Sequence, residues 1–238
     1  MGLCVFDLDH TLIQTPLDLA AMALDMRALI EREHGTLPAR DERYRVGELI
    51  AHCKAQAPAL EAAVWSLALD HERRAMDVAA LEPGAHAAVT GARRAGFATA
   101  VWTNNARELT VPALERLGLA GEFDLVVTRD DMRALKPDPD GWRVISEHFN
   151  GLARRGPAPG RGPAGRGEAL NGRLSAGDAV VVGDSWVDGL AAAAVGIPFV
   201  AYRARPGELE RWRVTPVAHL TDLALLPAWL EARGNGRR

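Results

Sequence analysis

The sequence predicts an α/β protein: a Rossmann-like parallel sheet with helices on both faces, plus a small α-helical module inserted after strand one. Three observations carry that prediction. The apolar run at residues 2–6 ends in an acidic pattern, Asp7-Leu8-Asp9-His10-Thr11. Residues 16–80 then show helical periodicity with no convincing strand. From Pro83 onward strand-like and helix-like segments alternate, as expected of parallel strands joined by crossover helices.

The opening run is apolar throughout, which suits a strand buried on both faces. Residues two apart on a strand point the same way, so Asp7 and Asp9 should emerge together at its C-terminal end. Two carboxylates held that close repel each other unless a cation sits between them or one keeps a proton. Leu17, Ala20, Ala21, Leu24, Ala28 and Leu29 follow helical spacing. A second helical stretch covers 44–57, and a third starts after Pro58 with Leu60, Val64, Leu67 and Ala68.

The alternating region reads as a helix at 84–95 ending at Gly96, a strand at 97–103 (FATAVWT) and a helix through Leu117. A strand at 123–128 (FDLVVT), a helix at 138–150, a strand at 179–183 (AVVVG), a helix at 186–194 and a short strand at 198–202 (PFVAY) follow. Residues 151–175 interrupt this order. They are dense in Gly, Pro, Arg and Ala, with little to bury, and predict a flexible surface insertion. Its arginines (Arg154, Arg155, Arg161, Arg166, Arg173) are expected to be solvated, an acidic partner being the alternative. The closing GNGRR is expected to fray. The expected organisation is therefore an α/β core at 1–15 and 81–238, a helical module at 16–80, and the insertion within the core.

Composition excludes several classes. With 48% hydrophobic and 25% charged residues, the 238-residue chain is ordinary for a globular protein and long enough for a full core. A net charge of −3 gives no sign of the concentrated basic face that nucleic-acid binding needs. No uncharged apolar stretch approaches the roughly 18 residues of a membrane span. Asp7 and Asp9 interrupt any signal-peptide core, and Phe6 stands where myristoylation wants Ser or Thr. Cys4 and Cys53 lack the spacing of a metal pair and are not expected to form a disulfide. A cytoplasmic protein is expected.

In parallel sheets, ligands bind beyond the carboxyl ends of the strands. The polar residues that stand out fall at those ends: Asp7 and Asp9; Thr103-Asn104-Asn105; Lys136 in KPDPD; and Gly183-Asp184-Ser185-Trp186-Val187-Asp188. Singly, each has an ordinary explanation. An Asp at a strand end commonly caps the next helix, Thr-Asn is turn chemistry, and a lysine before proline is usually solvated. Their joint placement is what points to a site.

With these four segments in this order, the chain resembles the haloacid dehalogenase-like (HAD) superfamily over nearly its whole length. The closest likeness is to the phosphoglycolate-phosphatase-like branch, which carries a helical cap between the first two motifs. The resemblance implies an HAD core and a Mg²⁺-dependent phosphatase that works through an aspartyl-phosphate. Asp7 would be the nucleophile. Asp9 would protonate the leaving oxygen and later activate water. Asp7 and Asp184, with the backbone carbonyl of Asp9, would hold Mg²⁺, and Asp188 would support the metal directly or from outside its ligand set. Thr103, Asn104 and Lys136 would bind the phosphoryl group, Lys136 also neutralising Asp7. The charges agree with this: four carboxylates against one lysine would repel a phosphate dianion unless a divalent cation joined them.

One residue departs from the family pattern. His10 stands where Gly is most common, and is expected to support the site or face the cap rather than join the chemistry. Tyr44, Arg45 and the loop around Thr15 are candidates for substrate contact. The expected substrate is a small phosphorylated metabolite, with phosphoglycolate, sugar phosphates and nucleoside monophosphates all open. Among alternatives, a phosphomutase would return the phosphoryl group to sugar. A dehalogenase would need neither Asp9 nor the Asp184/Asp188 pair, and phosphonate cleavage would need a Schiff-base lysine, for which Lys54 is the only cap candidate. A non-catalytic HAD-fold binding protein would be expected to have lost one of Asp7, Asp9, Lys136 or Asp184. Oligomeric state has no signal in the sequence.

Overall fold

A computed structural model describes residues 2–155 and 174–235. These residues divide between two compact units, Met1–Gln14 with Ala80–Arg238, and Thr15–Ala79.

The first unit is built on a six-stranded sheet. Its strands are β1 (Leu3–Phe6), β4 (Ala98–Trp102), β5 (Leu125–Val127), β6 (Ala179–Gly183), β7 (Phe199–Tyr202) and β8 (Ala218–Leu220). They lie in the order β5-β4-β1-β6-β7-β8, and every pairing is parallel. A separate ribbon, β2 (Ile13–Gln14) against β3 (Ala80–Leu81), is antiparallel and brackets residues 15–79 in sequence.

Both faces of the sheet are covered, which explains why β1 is apolar at every position. Leu3 and Val5 share one face with Ala100, Trp102, Val181 and Phe199. That face packs on α6 (Asp140–Arg155), through Ile145 and Phe149, and on α7 (Trp186–Ala194), through Ala191 and Ala192. On the alternate positions Cys4, Phe6, Val101, Val182 and Tyr202 are equally buried. On this side α4 (Ala85–Arg94) packs beside β4 and against α9 (Leu226–Asn235). Gly96, at φ 86°, makes the left-handed turn that returns the chain from α4 into β4. The remaining helices of this unit are α5 (Arg107–Arg116) and α8 (Pro206–Arg211).

The second unit contains α1 (Leu19–Glu33), α2 (Val46–Gln56) and α3 (Glu61–Asp77). Asp18 caps α1, its side chain accepting from the Ala20 and Ala21 amides at 2.9 Å each. The helices bury Met22, Met26, Ile30, Leu49, Cys53, Val64 and Ala68 in a core of their own.

Several sequence expectations need correction. Of the expected apolar positions, Leu17 and Leu29 pack partly buried against this core, but Ala20, Leu24 and Ala28 are exposed, and the buried α1 residues are Met22, Ala23, Met26 and Ile30. Helix α6 runs to Arg155, five residues past its expected end, so the start of the Gly/Pro/Arg-rich segment is helical. The rest of that segment, 156–173, lies outside the described residues, as do 236–238 of the expected frayed tail; Gly234 and Asn235 close α9. The β2/β3 ribbon, α8, β8 and α9 were not expected. Two- and three-residue strands leave almost no periodic signal.

Candidate active site

Strand β1 lies in the middle of the sheet, with β4 on one side and β6 on the other. The chain runs from β1 outward through β4 to β5 and then crosses to β6 on the other side of β1. The strand order reverses there, so a crevice forms at the carboxyl end of β1. Asp7 follows β1, Thr103 follows β4 and Asp184 follows β6. Each of the first two is held by one more sheet hydrogen bond beyond its strand: Asp7 N–H donates to Val182 O at 2.9 Å, and Thr103 N–H to Val127 O at 3.0 Å. These two candidate side chains thus start from fixed backbone.

Lys136 joins these strand ends. Its ammonium donates to Asp7 Oδ1 at 2.6 Å, to Asp188 Oδ1 at 2.5 Å and to the Trp102 carbonyl at 2.7 Å. All three donors of a buried lysine are therefore used. The loop carrying it is clamped by Asn104. The Asn104 amide donates to Lys136 O at 3.0 Å, and its carbonyl accepts from Lys136 N–H at 2.9 Å. Asn104, expected at the substrate, spends its side chain on positioning the lysine.

Asp7, Asp184 and Asp188 each offer an oxygen within 4.8 Å of the others. Their surroundings differ. Asp188 is engaged at both oxygens, Oδ1 by Lys136 and Oδ2 by the Ser185 hydroxyl at 2.6 Å as part of the cap of α7. Gly183 makes room for it. A Cβ there would lie 2.6 Å from Asp188 Cγ, so only glycine fits at the end of β6. Asp7 Oδ2 accepts from Thr11 Oγ1 at 3.3 Å.

Electrostatics reflect the excess of carboxylates. Burial, and then the charge of Asp188, push the Asp7 carboxyl up to about 7 against the pull of Lys136. Asp184 is pushed further, to about 9, by burial and by its neighbours Asp7 and Asp188. For Lys136, burial works against the ammonium, but Asp188 and Asp7 outweigh it and hold the group above its ordinary value. One lysine cannot satisfy two buried carboxylates and a third, half-buried one beside them. Hard oxygen donors this close, with unmet negative charge, suit Mg²⁺.

Asp9 stands beside this cluster. Its Oδ2 accepts from the amide of Asn105 at 2.5 Å, a residue the sequence places in the strand-end triplet without giving it a role. The available signal was its place two residues after Thr103. His10 is exposed at φ 56°, and its N–H donates to Ile13 O at 2.7 Å in the tight turn after Asp9. A left-handed turn position explains why glycine suits it. Among the cap candidates, Tyr44 donates to Pro38 O at 2.8 Å beneath the Arg40 guanidinium, 3.9 Å above its ring. The Arg45 N–H donates to Glu48 Oε2 at 2.7 Å. Thr15 is buried and Lys54 is exposed. Cys4 and Cys53 are free thiols, both buried.

Comparison with known proteins agrees with this geometry. Residues 1–196 match the family model of the haloacid dehalogenase-like hydrolases. A plasmid-encoded phosphoglycolate phosphatase of Cupriavidus necator is 32% identical over 52% of this chain and 46% of its own length. The phosphoglycolate phosphatase of Rhodobacter capsulatus is 26% identical over 95% of each chain. Among solved structures, a HAD-superfamily hydrolase of subfamily IA from Geobacter sulfurreducens shares the fold. It superposes with a TM-score of 0.58 at 22% identity, covering 96% of this chain and 99% of its own. The family model spans the four strand-end segments described above, and the chain belongs to the haloacid dehalogenase-like hydrolases.

Proposed function

We propose that the protein is a Mg²⁺-dependent phosphatase acting on a small phosphorylated metabolite through an aspartyl-phosphate on Asp7. The observation that carries this reading is the Lys136 bridge between Asp7 and Asp188 inside a cluster of three carboxylates. That cluster can hold a cation, and the lysine fixes Asp7 in one orientation.

Asp7 and Asp184 are assigned to the metal together with the Asp9 carbonyl. Asp188, with both oxygens already engaged, is assigned to orienting Lys136 and the helix start. Bound there, Mg²⁺ would neutralise the carboxylates and the transferring phosphoryl oxygens. The chain's own residues do the rest. An oxygen of Asp7 attacks phosphorus, and the bond to the substrate oxygen breaks as Asp9 gives that oxygen its proton. Water then attacks the same phosphorus and passes its proton to Asp9. The bond to Asp7 breaks and inorganic phosphate leaves. Thr103, whose hydroxyl oxygen accepts from Asn105 N–H at 3.1 Å, has its own proton left to donate to a phosphoryl oxygen. Lys136 supplies positive charge beside it, on a loop held by Asn104.

The names of the relatives make 2-phosphoglycolate the first substrate to test. A cytoplasmic setting belongs to the same proposal, supported by the two free cysteines. No helix among the described residues is long and apolar enough to cross a membrane. The test is a phosphate-release screen over phosphorylated metabolites, with Mg²⁺ and with EDTA. Release with Mg²⁺ that stops with EDTA is expected. Formation of an isomerised sugar phosphate without free phosphate would replace this reading with a phosphomutase.

A further inference from the structure

We infer that Asn105 is a positioning residue for the proton-transfer step: its amide fixes the Asp9 carboxyl so that leaving-group protonation keeps pace with attack by Asp7. This inference rests on the function proposed above, in which Asp9 is the acid.

The geometry is specific. Asn105 is 5% exposed and immediately follows the strand-end pair Thr103-Asn104. Its backbone is pinned at both ends. The N–H donates to Thr103 Oγ1 at 3.1 Å, and the carbonyl accepts from Arg129 N–H at 3.1 Å. With its backbone fixed, the side-chain amide reaches Asp9 Oδ2 at 2.5 Å. A primary amide nitrogen only donates, so the contact engages one oxygen of Asp9 as an acceptor. Rotation about the last bond of an aspartate is otherwise soft and two-fold. The contact therefore selects one of two near-equivalent orientations and holds it. The same asparagine touches Thr103, assigned to the phosphoryl group, so one residue sets the register between the group that holds phosphate and the group that supplies the proton. A general acid misplaced by a fraction of an ångström loses much of its contribution.

Dependence on the leaving group isolates this role. Strongly acidic leaving groups depart without help, whereas basic ones need a proton. The experiment measures kcat/KM, which reports steps through leaving-group departure, for 4-nitrophenyl, phenyl and benzyl phosphate with Mg²⁺. Asn105→Ala and the near-isosteric Asn105→Asp are compared with the unmodified protein and with Asp9→Asn. The ratio of benzyl to 4-nitrophenyl kcat/KM is independent of how much of each variant is folded. Both Asn105 variants are expected to lower it at least about tenfold, part of the roughly 10²–10⁴ available from acid catalysis. A ratio unchanged in both Asn105 variants while Asp9→Asn lowers it would overturn the inference and leave the proposed function standing. A ratio unchanged in Asp9→Asn as well would overturn the acid role assigned to Asp9, and with it this inference, whereas the phosphatase reading itself falls only if no phosphate is released with Mg²⁺.

Discussion

Asp7 and Asp184 bind protons more tightly in the folded chain than their ordinary value of 3.8, at about 7 and about 9, and the sign of the consequence follows. Where the native state holds more protons than the unfolded chain, stability falls as pH rises. Their contribution is fully present below about pH 4 and is lost through the two raised values. The Tm of the protein in EDTA should therefore fall from pH 5 to pH 9. Mg²⁺, which needs both carboxylates ionised, should raise Tm more at pH 9 than at pH 6. Differential scanning at the two pH values checks this, and an equal Mg²⁺ effect at both would count against the cluster as the metal site. At Gly183 the demand is spatial. Gly183→Ala places a methyl 2.6 Å from Asp188 Cγ, so the loss of about 1–3 kcal/mol typical of overpacking should come with loss of turnover. His10 tests the turn. His10→Gly should leave stability unchanged or slightly higher, while His10→Val, β-branched at φ 56°, should cost about 1–3 kcal/mol in denaturant unfolding.

At the scale of elements, the site is a set of strand ends stitched together by side chains. Asn104 links the turn after β4 to the Lys136 loop, and Lys136 reaches back to β1 and to α7. Asn104→Ala removes both hydrogen bonds of that clamp and should cost about 1–3 kcal/mol. Turnover should fall further than stability explains, because Lys136 loses its register; parallel denaturation and phosphate-release measurements separate the two. The strand ends were legible in the sequence because the candidate site residues stand where apolar runs stop, at Asp7, Thr103 and Asp184. The pairing of Asn105 with Asp9 was not, since an asparagine in a turn looks the same whether it faces water or a half-buried carboxylate. Neither was the tie between β3 and β7. Buried Glu82, directly after β3, accepts from Tyr202 Oη at 2.5 Å and from Arg203 at 2.6 Å, across 120 residues of sequence that no local pattern spans.

For the molecule as a whole, the parallel sheet was readable from alternating periods, and its six-strand order explains why distant segments meet: β1 is central, and its neighbours β4 and β6 carry the other motifs. The sheet's far edge was not readable, because β8 has three residues with one buried. The packing face of α1 was legible only in part: Leu29 lies on it, but Ala20, Leu24 and Ala28 face outward while Met22, Met26 and Ile30 are buried, because a helix rich in alanine offers several apolar stripes at once. All the catalytic assignments rest on the α/β unit, and all converge on Asp7. The most direct test is to quench the protein in acid during turnover with Mg²⁺ and map its peptides by mass spectrometry. A phosphoryl group on the peptide containing Asp7, absent from Asp7→Asn, is the expected result. Steady turnover by Asp7→Asn, or a phosphoryl group on any other residue, would contradict the account.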